Sequence, residues 1–109
     1  MPQATRYDAM VIGTSHGGRM LPIALAEAGR NVALVEGDRL GGVCVNVGCI
    51  PTKTMVASAR VAYLARRGAD YGVQTGPITI DLSKVRQRKR KIVDDFRSGS
   101  QQRTTTTRS

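Results

Sequence analysis

The stretch of sequence that decides the fold is Tyr7-Asp8-Ala9-Met10-Val11-Ile12-Gly13-Thr14-Ser15-His16-Gly17-Gly18. Its apolar run, stopped by Gly13, predicts a buried β-strand, and the small residues after it predict a turn. Apolar side chains at three- to four-residue spacing then predict a helix from Gly17 to Ala28, which Gly29 stops, with Pro22 in its first turn. Residues 31–35 form a second apolar run. This order predicts a βαβ unit with parallel strands and a right-handed crossover.

The rest of the chain is predicted to add helices around this unit. We expect a glycine-containing loop, a helix opened by Pro51 or Thr52, two short extended pieces and a last helix capped by Asp81. These elements cover residues 38–48, 51–67, 71–73, 78–80 and 82–97. The triplet Ser98-Gly99-Ser100 is predicted to stop the last helix, and residues 98–109, which lack apolar side chains, are predicted to be a disordered tail. Residues 1–97 are therefore predicted to be α/β, a Rossmann-like βαβ segment with an incomplete parallel sheet and flanking helices.

Length and composition exclude several classes of protein. With 109 residues, the chain is one domain at most, because domains commonly have ~100–150 residues. Two cysteines exclude a disulfide-dense secreted scaffold, and no apolar run approaches the ~20 residues that span a bilayer. No basic region followed by an apolar stretch marks a signal peptide at the start, so we expect a cytoplasmic protein with no membrane partner.

The positive charge of the chain is concentrated in its last third. The 17 Lys and Arg against 8 Asp and Glu give a net charge of +9. The densest basic cluster comprises Lys84, Arg86, Arg88, Lys89, Arg90 and Lys91. Such a cluster could bind nucleic acid, but no aromatic side chain is interleaved to stack on bases. A solvated helix face is the favoured interpretation, and nucleic acid is not the expected partner.

Residues 13–18 match the dinucleotide-binding pattern G-x-G-x-x-G at two of its three glycine positions. Gly13 suits the tight turn and Gly18 suits close contact between helix and strand, whereas Ser15 stands at the middle position. Glu36 ends the second strand, where the pattern places an acid for a ribose hydroxyl. Dinucleotide binding is favoured over a bare structural turn, with Ser15 either donating to a phosphate or lowering the affinity. We expect His16 to be an exposed loop residue.

Two cysteines, Cys44 and Cys49, are separated by four residues. They could be inert small apolar side chains, and a zinc site is disfavoured because His16 is the only histidine. Cys49 stands at the entry to a helix, where the dipole lowers the pKa of a thiol, and Gly48 permits a turn back toward Cys44. In a cytosolic protein, a disulfide at such a site is more typical of redox activity than of a structural role.

These cysteines lie within a longer match. The sequence Gly41-Gly42-Val43-Cys44-Val45-Asn46-Val47-Gly48-Cys49-Ile50-Pro51-Thr52-Lys53 resembles the active-site signature of the pyridine nucleotide-disulfide oxidoreductases. This flavoprotein family includes dihydrolipoamide dehydrogenase, glutathione reductase and mercuric reductase. Residues 6–97 as a whole resemble the N-terminal FAD segment of the family, and residues 56–67 are most similar to its mercuric reductase-like branch.

The resemblance implies FAD as the cofactor and assigns its contacts. The pyrophosphate would lie on the glycine-rich turn, the adenosine ribose on an acid, and the flavin beside the residues that flank the cysteines. The residues at the pyrophosphate would be Gly13, Ser15, Gly17 and Gly18, and the acid at the ribose would be Glu36. The residues at the flavin would be Gly41, Gly42, Thr52 and Lys53.

The resemblance also implies a route for electrons. Cys44 would be the outer thiol that meets the substrate, and Cys49 the inner thiol in charge transfer with the flavin. Lys53 would lie near the reactive flavin nitrogen and tune its electrostatics. Electrons would pass from NAD(P)H to FAD, then to the Cys44–Cys49 disulfide, and on to a disulfide or metal-ion substrate.

The family's other domains do not fit within 109 residues. Members continue with an NAD(P)-binding domain and a dimer-interface domain, and act as homodimers. We therefore expect a truncated or frameshifted member or an isolated fragment, weak in FAD binding and inactive alone. The alternatives are a non-functional remnant of the same enzyme and a small basic module that binds nucleic acid.

Overall fold

The predicted βαβ unit is present in the structure, a computed structural model that describes residues 3–106 and the side chains of residues 3–104. Strand β1 (Ala9–Ile12) is followed by helix α1 (His16–Glu27) and strand β2 (Val32–Val35). The strands pair in parallel, in a register that places Ala9 opposite Val32. This confirms the α/β class and the parallel pairing predicted from the sequence.

One face of this two-stranded sheet is covered and the other is open. Successive side chains of a strand point to opposite faces. Helix α1 packs on both strands, whereas Met10 and Ile12, on the alternate positions of β1, are 61% and 80% exposed. The sheet is therefore incomplete, as predicted.

Helix α1 begins at His16, one residue before the predicted start at Gly17. Pro22 is its seventh residue and lies in the helix interior, so the prediction that it lies in the first turn is wrong. Pro22 has no N–H to donate to the carbonyl of Gly18 one turn before it. The helix lacks this hydrogen bond, and the Pro22 ring is buried. The predicted helix end is confirmed, because Gly29 follows with a positive φ of 77°.

The region predicted as a loop over residues 38–48 contains a short helix, α2 (Gly42–Asn46), so the loop prediction is wrong there. The glycines that suggested a loop lie at its boundaries. Helix α3 (Cys49–Arg66) follows and begins two residues before the predicted Pro51. Pro51 is still within the first turn, where the N–H groups have no intrahelical partner, so it costs no hydrogen bond.

The two extended pieces predicted between the last helices do not form strands. Residues Gly68–Tyr71 form a 3₁₀ turn, and residues 73–81 are irregular. Isolated extended segments need a neighbour to donate and accept hydrogen bonds. The described part of the chain offers them no such neighbour, because its sheet consists of β1 and β2.

The last helix, α4 (Leu82–Thr106), is longer than predicted. Its predicted cap is confirmed, because the Asp81 carboxylate accepts a hydrogen bond of 3.1 Å from the backbone N–H of Lys84. The predicted stop at residues 98–100 is wrong, since the helix passes through Gly99. Of the predicted disordered tail, residues 98–106 are helical, and residues 107–109 lie outside the described residues.

Tertiary contacts explain the extension of α4. Ser100 is 3% exposed. Its hydroxyl donates to the carbonyl of Phe96 at 3.0 Å and accepts from the Arg19 guanidinium of α1 at 2.8 Å. A glycine in a helix costs about 1 kcal/mol relative to alanine. Docking of this turn against α1 offsets that cost, which the local sequence could not reveal.

The core lies where α2 and α4 meet α3. Val45 of α2 and Val93 of α4 are the buried apolar side chains at this place, and Thr54 of α3 is buried with them. Helix α4 packs against α1, α2 and α3, and α2 packs against α3. The cysteine-bearing helix α2 is therefore held between the two long helices.

Candidate functional site

The glycine-rich turn after β1 has the geometry that its pattern predicts. Gly13 has a φ of 94°, in the left-handed region that favours glycine. A Cβ on Gly18 would lie 2.1 Å from the carbonyl oxygen of Gly13, so the helix could not approach the strand with any other residue there. A Cβ on Gly17 would meet no atom within 4 Å. The turn is thus closed on the strand side and open beside Gly17.

The start of α1 leaves its backbone donors uncapped. Ser15 is the N-cap, its side chain makes no capping hydrogen bond, and no acid lies in the first turn. The first N–H groups of a helix have no intrahelical partner and carry a partial positive charge. His16 is the exposed first residue of the helix. This end of α1 is suited to an anion.

Glu36 lies at the end of β2, and its carboxylate is bound to the glycine-rich turn. One oxygen accepts from the backbone N–H of Thr14 at 3.0 Å and from the Thr14 hydroxyl. The other accepts from the N–H of Asp38 at 3.2 Å. The pKa of Glu36 is lowered, chiefly by the Thr14 hydroxyl and then by the Asp38 N–H. The carboxylate is therefore held ionised beside the turn.

A second glycine turn joins this site to α2. The Thr14 hydroxyl accepts a hydrogen bond of 3.0 Å from the N–H of Gly41. Gly41 and Gly42 have φ of 99° and 63°. A Cβ on Gly42 would lie 3.0 Å from the Cβ of Ser15, so the serine at the middle fingerprint position packs against a glycine. The structure thus brings the two glycine turns together.

Cys44 and Cys49 are also brought together. Cys44 lies in α2 and is half-buried, whereas Cys49 is exposed at the first position of α3. Gly48 forms the turn between them, and a Cβ there would lie 3.4 Å from the Cα of Cys44. Its N–H donates to the carbonyl of Val43 at 2.7 Å, which closes the turn. Both thiols are free in this structure.

The two thiols are close enough to affect each other's ionisation. The pKa of Cys44 is raised above 9.0, first by a hydrogen bond with the Cys49 side chain and then by burial. Lys53, exposed one turn along α3, opposes this shift through its positive charge. Thr52 is exposed, and its N–H donates to the carbonyl of Gly48 at 3.1 Å. These contacts place Lys53 within electrostatic reach of the thiol pair.

Two polar residues that organise the site were not assigned a role from the sequence. Thr14 links Glu36 to Gly41, as described above. Asn46 donates from its amide to the carbonyls of Leu40 at 3.0 Å and Gly42 at 2.9 Å. No spacing rule marks Thr14, whereas Asn46 lies inside the quoted cysteine signature, which is the signal that could have found it.

The basic cluster of α4 is partly engaged within the protein. Arg88 donates to the carbonyl of Thr54 at 3.1 Å, and Lys91 pairs with Asp95 at 2.7 Å. Lys84, Arg86 and Arg90 are exposed, and no aromatic side chain lies within the cluster, since the first aromatic residue of α4 is Phe96. The preference for a solvated helix face over a nucleic-acid interface stays a prediction.

The described residues contain neither a membrane-spanning helix nor a cluster of metal-binding side chains. Within residues 3–106, no helix combines the length and apolar composition needed to cross a membrane. Over the same residues, no group of three or more His, Cys, Asp or Glu side chains is gathered as a metal site would require.

Comparison with known proteins places these residues in a family context. Residues 7–108 match the family model described as pyridine nucleotide-disulphide oxidoreductase. The chain is 40% identical over 96 residues to dihydrolipoyl dehydrogenase of Bacillus subtilis (strain 168), covering 88% of this chain and 20% of that protein. It is 42% identical over 89 residues to dihydrolipoyl dehydrogenase of Chlorobaculum parvum, covering 82% and 19%.

A solved structure shows the same likeness. The HOCl-induced flavoprotein disulfide reductase RclA from Escherichia coli superposes with a TM-score of 0.73 at 32% sequence identity, covering 93% of this chain and 20% of that one. The chain thus spans about a fifth of the length of these relatives.

Proposed function

Since the chain belongs to the pyridine nucleotide-disulphide oxidoreductase family, we propose that it binds FAD at residues 13–18 and Glu36 and presents Cys44 and Cys49 as a redox-active pair. The observation that carries this proposal is the hydrogen-bonded link from Glu36 through Thr14 to Gly41. It joins the dinucleotide-type turn to the segment that leads into α2, the helix of Cys44. Residues 1–97 would then be the FAD-binding segment.

The glycine-rich turn fits a dinucleotide. The open space beside Gly17 and the uncapped N–H groups of α1 offer room and donors to a pyrophosphate. The ionised Glu36 has lone pairs beyond those used by Thr14 and Asp38, so it can accept from the ribose hydroxyls. Ser15 packs against Gly42, which leaves its hydroxyl without a capping role and able to donate to a phosphate.

The second glycine turn and α3 would face the isoalloxazine. Gly41, Gly42, Thr52 and Lys53 are the residues proposed to flank it, and Lys53 would add a positive charge there. When bound, the flavin would supply the two-electron couple between a reduced nicotinamide and the thiol pair.

The thiol pair would reduce a disulfide substrate in two exchanges. The Cys44 thiolate attacks one substrate sulfur, forming a mixed disulfide and releasing the other sulfur as a thiol. Cys49 then attacks the sulfur of Cys44, which releases the second substrate thiol and leaves the Cys44–Cys49 disulfide. A metal ion is the alternative electron acceptor.

Family likeness alone supports four further parts of the proposal. They are the disulfide or metal-ion substrate, NAD(P)H as the electron donor, a homodimeric partner and a mercuric reductase-like specificity.

Flavin titration of the purified chain tests the proposal. We expect added FAD to bind weakly, with a change in flavin fluorescence on mixing. Dithionite or dithiothreitol should then produce a long-wavelength absorbance band that Cys49→Ser abolishes and the matched variant Cys44→Ser retains. Absence of any flavin binding, or a band that survives Cys49→Ser, would contradict the proposal.

A further inference from the structure

We propose that Arg97 of α4 is a positioning residue for Cys44, acting through Asn46. The inference rests on the proposed function of Cys44 and Cys49 as a redox pair. Arg97 lies 51 positions along the chain from Asn46. Its contact with α2 was not predicted from the sequence, in which Arg97 lies outside the basic cluster of residues 84–91.

Two nitrogen atoms of Arg97 donate hydrogen bonds to a single oxygen atom of α2. Its Nε donates to the Oδ1 of Asn46 at 2.9 Å, and its Nη2 donates to the same oxygen at 2.8 Å. Hydrogen bonds from a charged donor are shorter and about twice as strong as those between neutral groups. The planar guanidinium presents these donors in a fixed geometry, so it fixes the position of the Asn46 Oδ1 atom.

The amide of Asn46 carries this constraint to the other end of α2. Its Nδ2 donates to the carbonyls of Leu40 and Gly42, at 3.0 Å and 2.9 Å. Asn46 is the last residue of the helix and Gly42 is the first. Cys44 therefore lies between two points that the same side chain holds.

Arg97 is itself held in place. Its third donor, Nη1, pairs with Asp94 at 3.2 Å, and its side chain is only 32% exposed. The neighbouring Val93 is buried in the core. The guanidinium is thus a fixed part of α4, and not a solvated charge that meets Asn46 occasionally.

A five-residue helix needs such support. Short helices are marginal in isolation because few hydrogen bonds repay the cost of ordering the chain. Disulfide formation accepts only a narrow range of Cβ separations and dihedral angles. If α2 frays, Cys44 spends less time in register with Cys49, and the effective concentration of one thiol at the other falls.

The test measures that effective concentration directly. The full chain is equilibrated with reduced and oxidised glutathione at several ratios, quenched and analysed by mass spectrometry for the Cys44–Cys49 disulfide. Arg97→Ala should lower the equilibrium constant for this disulfide by about ten- to a hundredfold, the loss expected for a hydrogen bond to a charged group. Arg97→Lys, which keeps the charge but replaces the fork with one ammonium, should give an intermediate value.

Arg90→Ala is the matched control. It removes an exposed arginine from the same helix, and its disulfide equilibrium should equal that of the parent. Circular dichroism of each variant shows whether the helices persist. Should Arg97→Ala fail to fold, Arg97→Lys decides: a reduced equilibrium constant supports the inference, and a value equal to that of the parent overturns it.

The outcomes separate this inference from the function on which it rests. A folded Arg97→Ala that matches the parent, or that falls no further than Arg90→Ala, overturns the positioning role alone. A parent chain that forms no Cys44–Cys49 disulfide at any glutathione ratio overturns the proposed function, and the inference with it.

Discussion

Replacing Gly18 with alanine tests the packing at the centre of the proposed dinucleotide site. A Cβ there would lie 2.1 Å from the carbonyl oxygen of Gly13 and 2.9 Å from its carbonyl carbon. Both atoms are backbone, so no flexible side chain can move aside. The start of α1 must separate from the end of β1 by about 1 Å before the new methyl group reaches ordinary contact.

The free energy of unfolding should fall by roughly 1–2 kcal/mol. Forcing an extra methyl group into a packed site costs about 1–3 kcal/mol, and this overlap with backbone atoms belongs in the upper part of that range, at about 2–3 kcal/mol. The better helix propensity of alanine returns about 1 kcal/mol. For a domain of this size, that loss corresponds to a melting temperature lower by about 4–16 °C.

Gly17→Ala is the matched control because it makes the same change one residue earlier in the same helix. A Cβ on Gly17 would meet no protein atom within 4 Å. We expect the free energy of unfolding to stay level or rise slightly, since alanine favours the helix. The affinity for FAD should fall, because the methyl group would occupy space proposed for the pyrophosphate.

Urea denaturation followed by circular dichroism, together with flavin titration, checks both variants. Gly18→Ala should lose stability and FAD binding, whereas Gly17→Ala should lose FAD binding alone. Equal stability of Gly18→Ala and the parent would refute the close helix–strand contact. Full FAD affinity in Gly17→Ala would refute the placement of the pyrophosphate beside the first turn of α1.

Three other predictions concern ionisation and capping. Because the folded pKa of Glu36 is lowered, its stabilising effect should be present above the ordinary carboxyl pKa of 4.5 and be lost as pH falls through the folded value. Urea midpoints measured across this range should show that loss in the parent and a smaller loss in Glu36→Gln. Cys49→Ala should lower the pKa of Cys44, so alkylation of Cys44 at mildly alkaline pH should be faster than in the parent. Lys53→Gln should raise the pKa of Cys44, so the same alkylation should be slower. Asp81→Ala should reduce the free energy of unfolding by about 1 kcal/mol, whereas Asp81→Asn, which keeps a capping oxygen, should cost much less in the same urea titration.

Much of the fold could be predicted because its signals are local. The apolar runs of β1 and β2, the glycine after α1 and the cap before α4 each act within a few residues of where they occur. The predictions that were wrong concern segments whose local signals were weak or competed with distant contacts. The glycines around α2 indicated a loop, but Gly41 and Gly42 permit left-handed turns that start a helix. The serines near Gly99 indicated a helix end, but Ser100 docks on α1.

The candidate site divides in the same way. Gly13, Gly18 and Glu36 could be assigned because a fixed spacing and a strand–helix–strand order mark them. Thr14 could not, because its importance comes from bonding to Glu36 and Gly41, 22 and 27 positions away. A residue that joins distant segments cannot be recognised from the residue spacing within any one segment.

By itself, the sequence determined the chemistry that the chain can offer: a glycine turn before a helix, an acid at the end of the second strand, and two thiols separated by four residues. Those features depend on backbone conformation and side-chain type, which are local properties. Only the tertiary structure decided how they are connected. Thr14 joins the two glycine turns, and the Arg97 fork holds Asn46 and with it the helix of Cys44. Such hydrogen bonds require segments distant in the chain to meet, and packing brings them together.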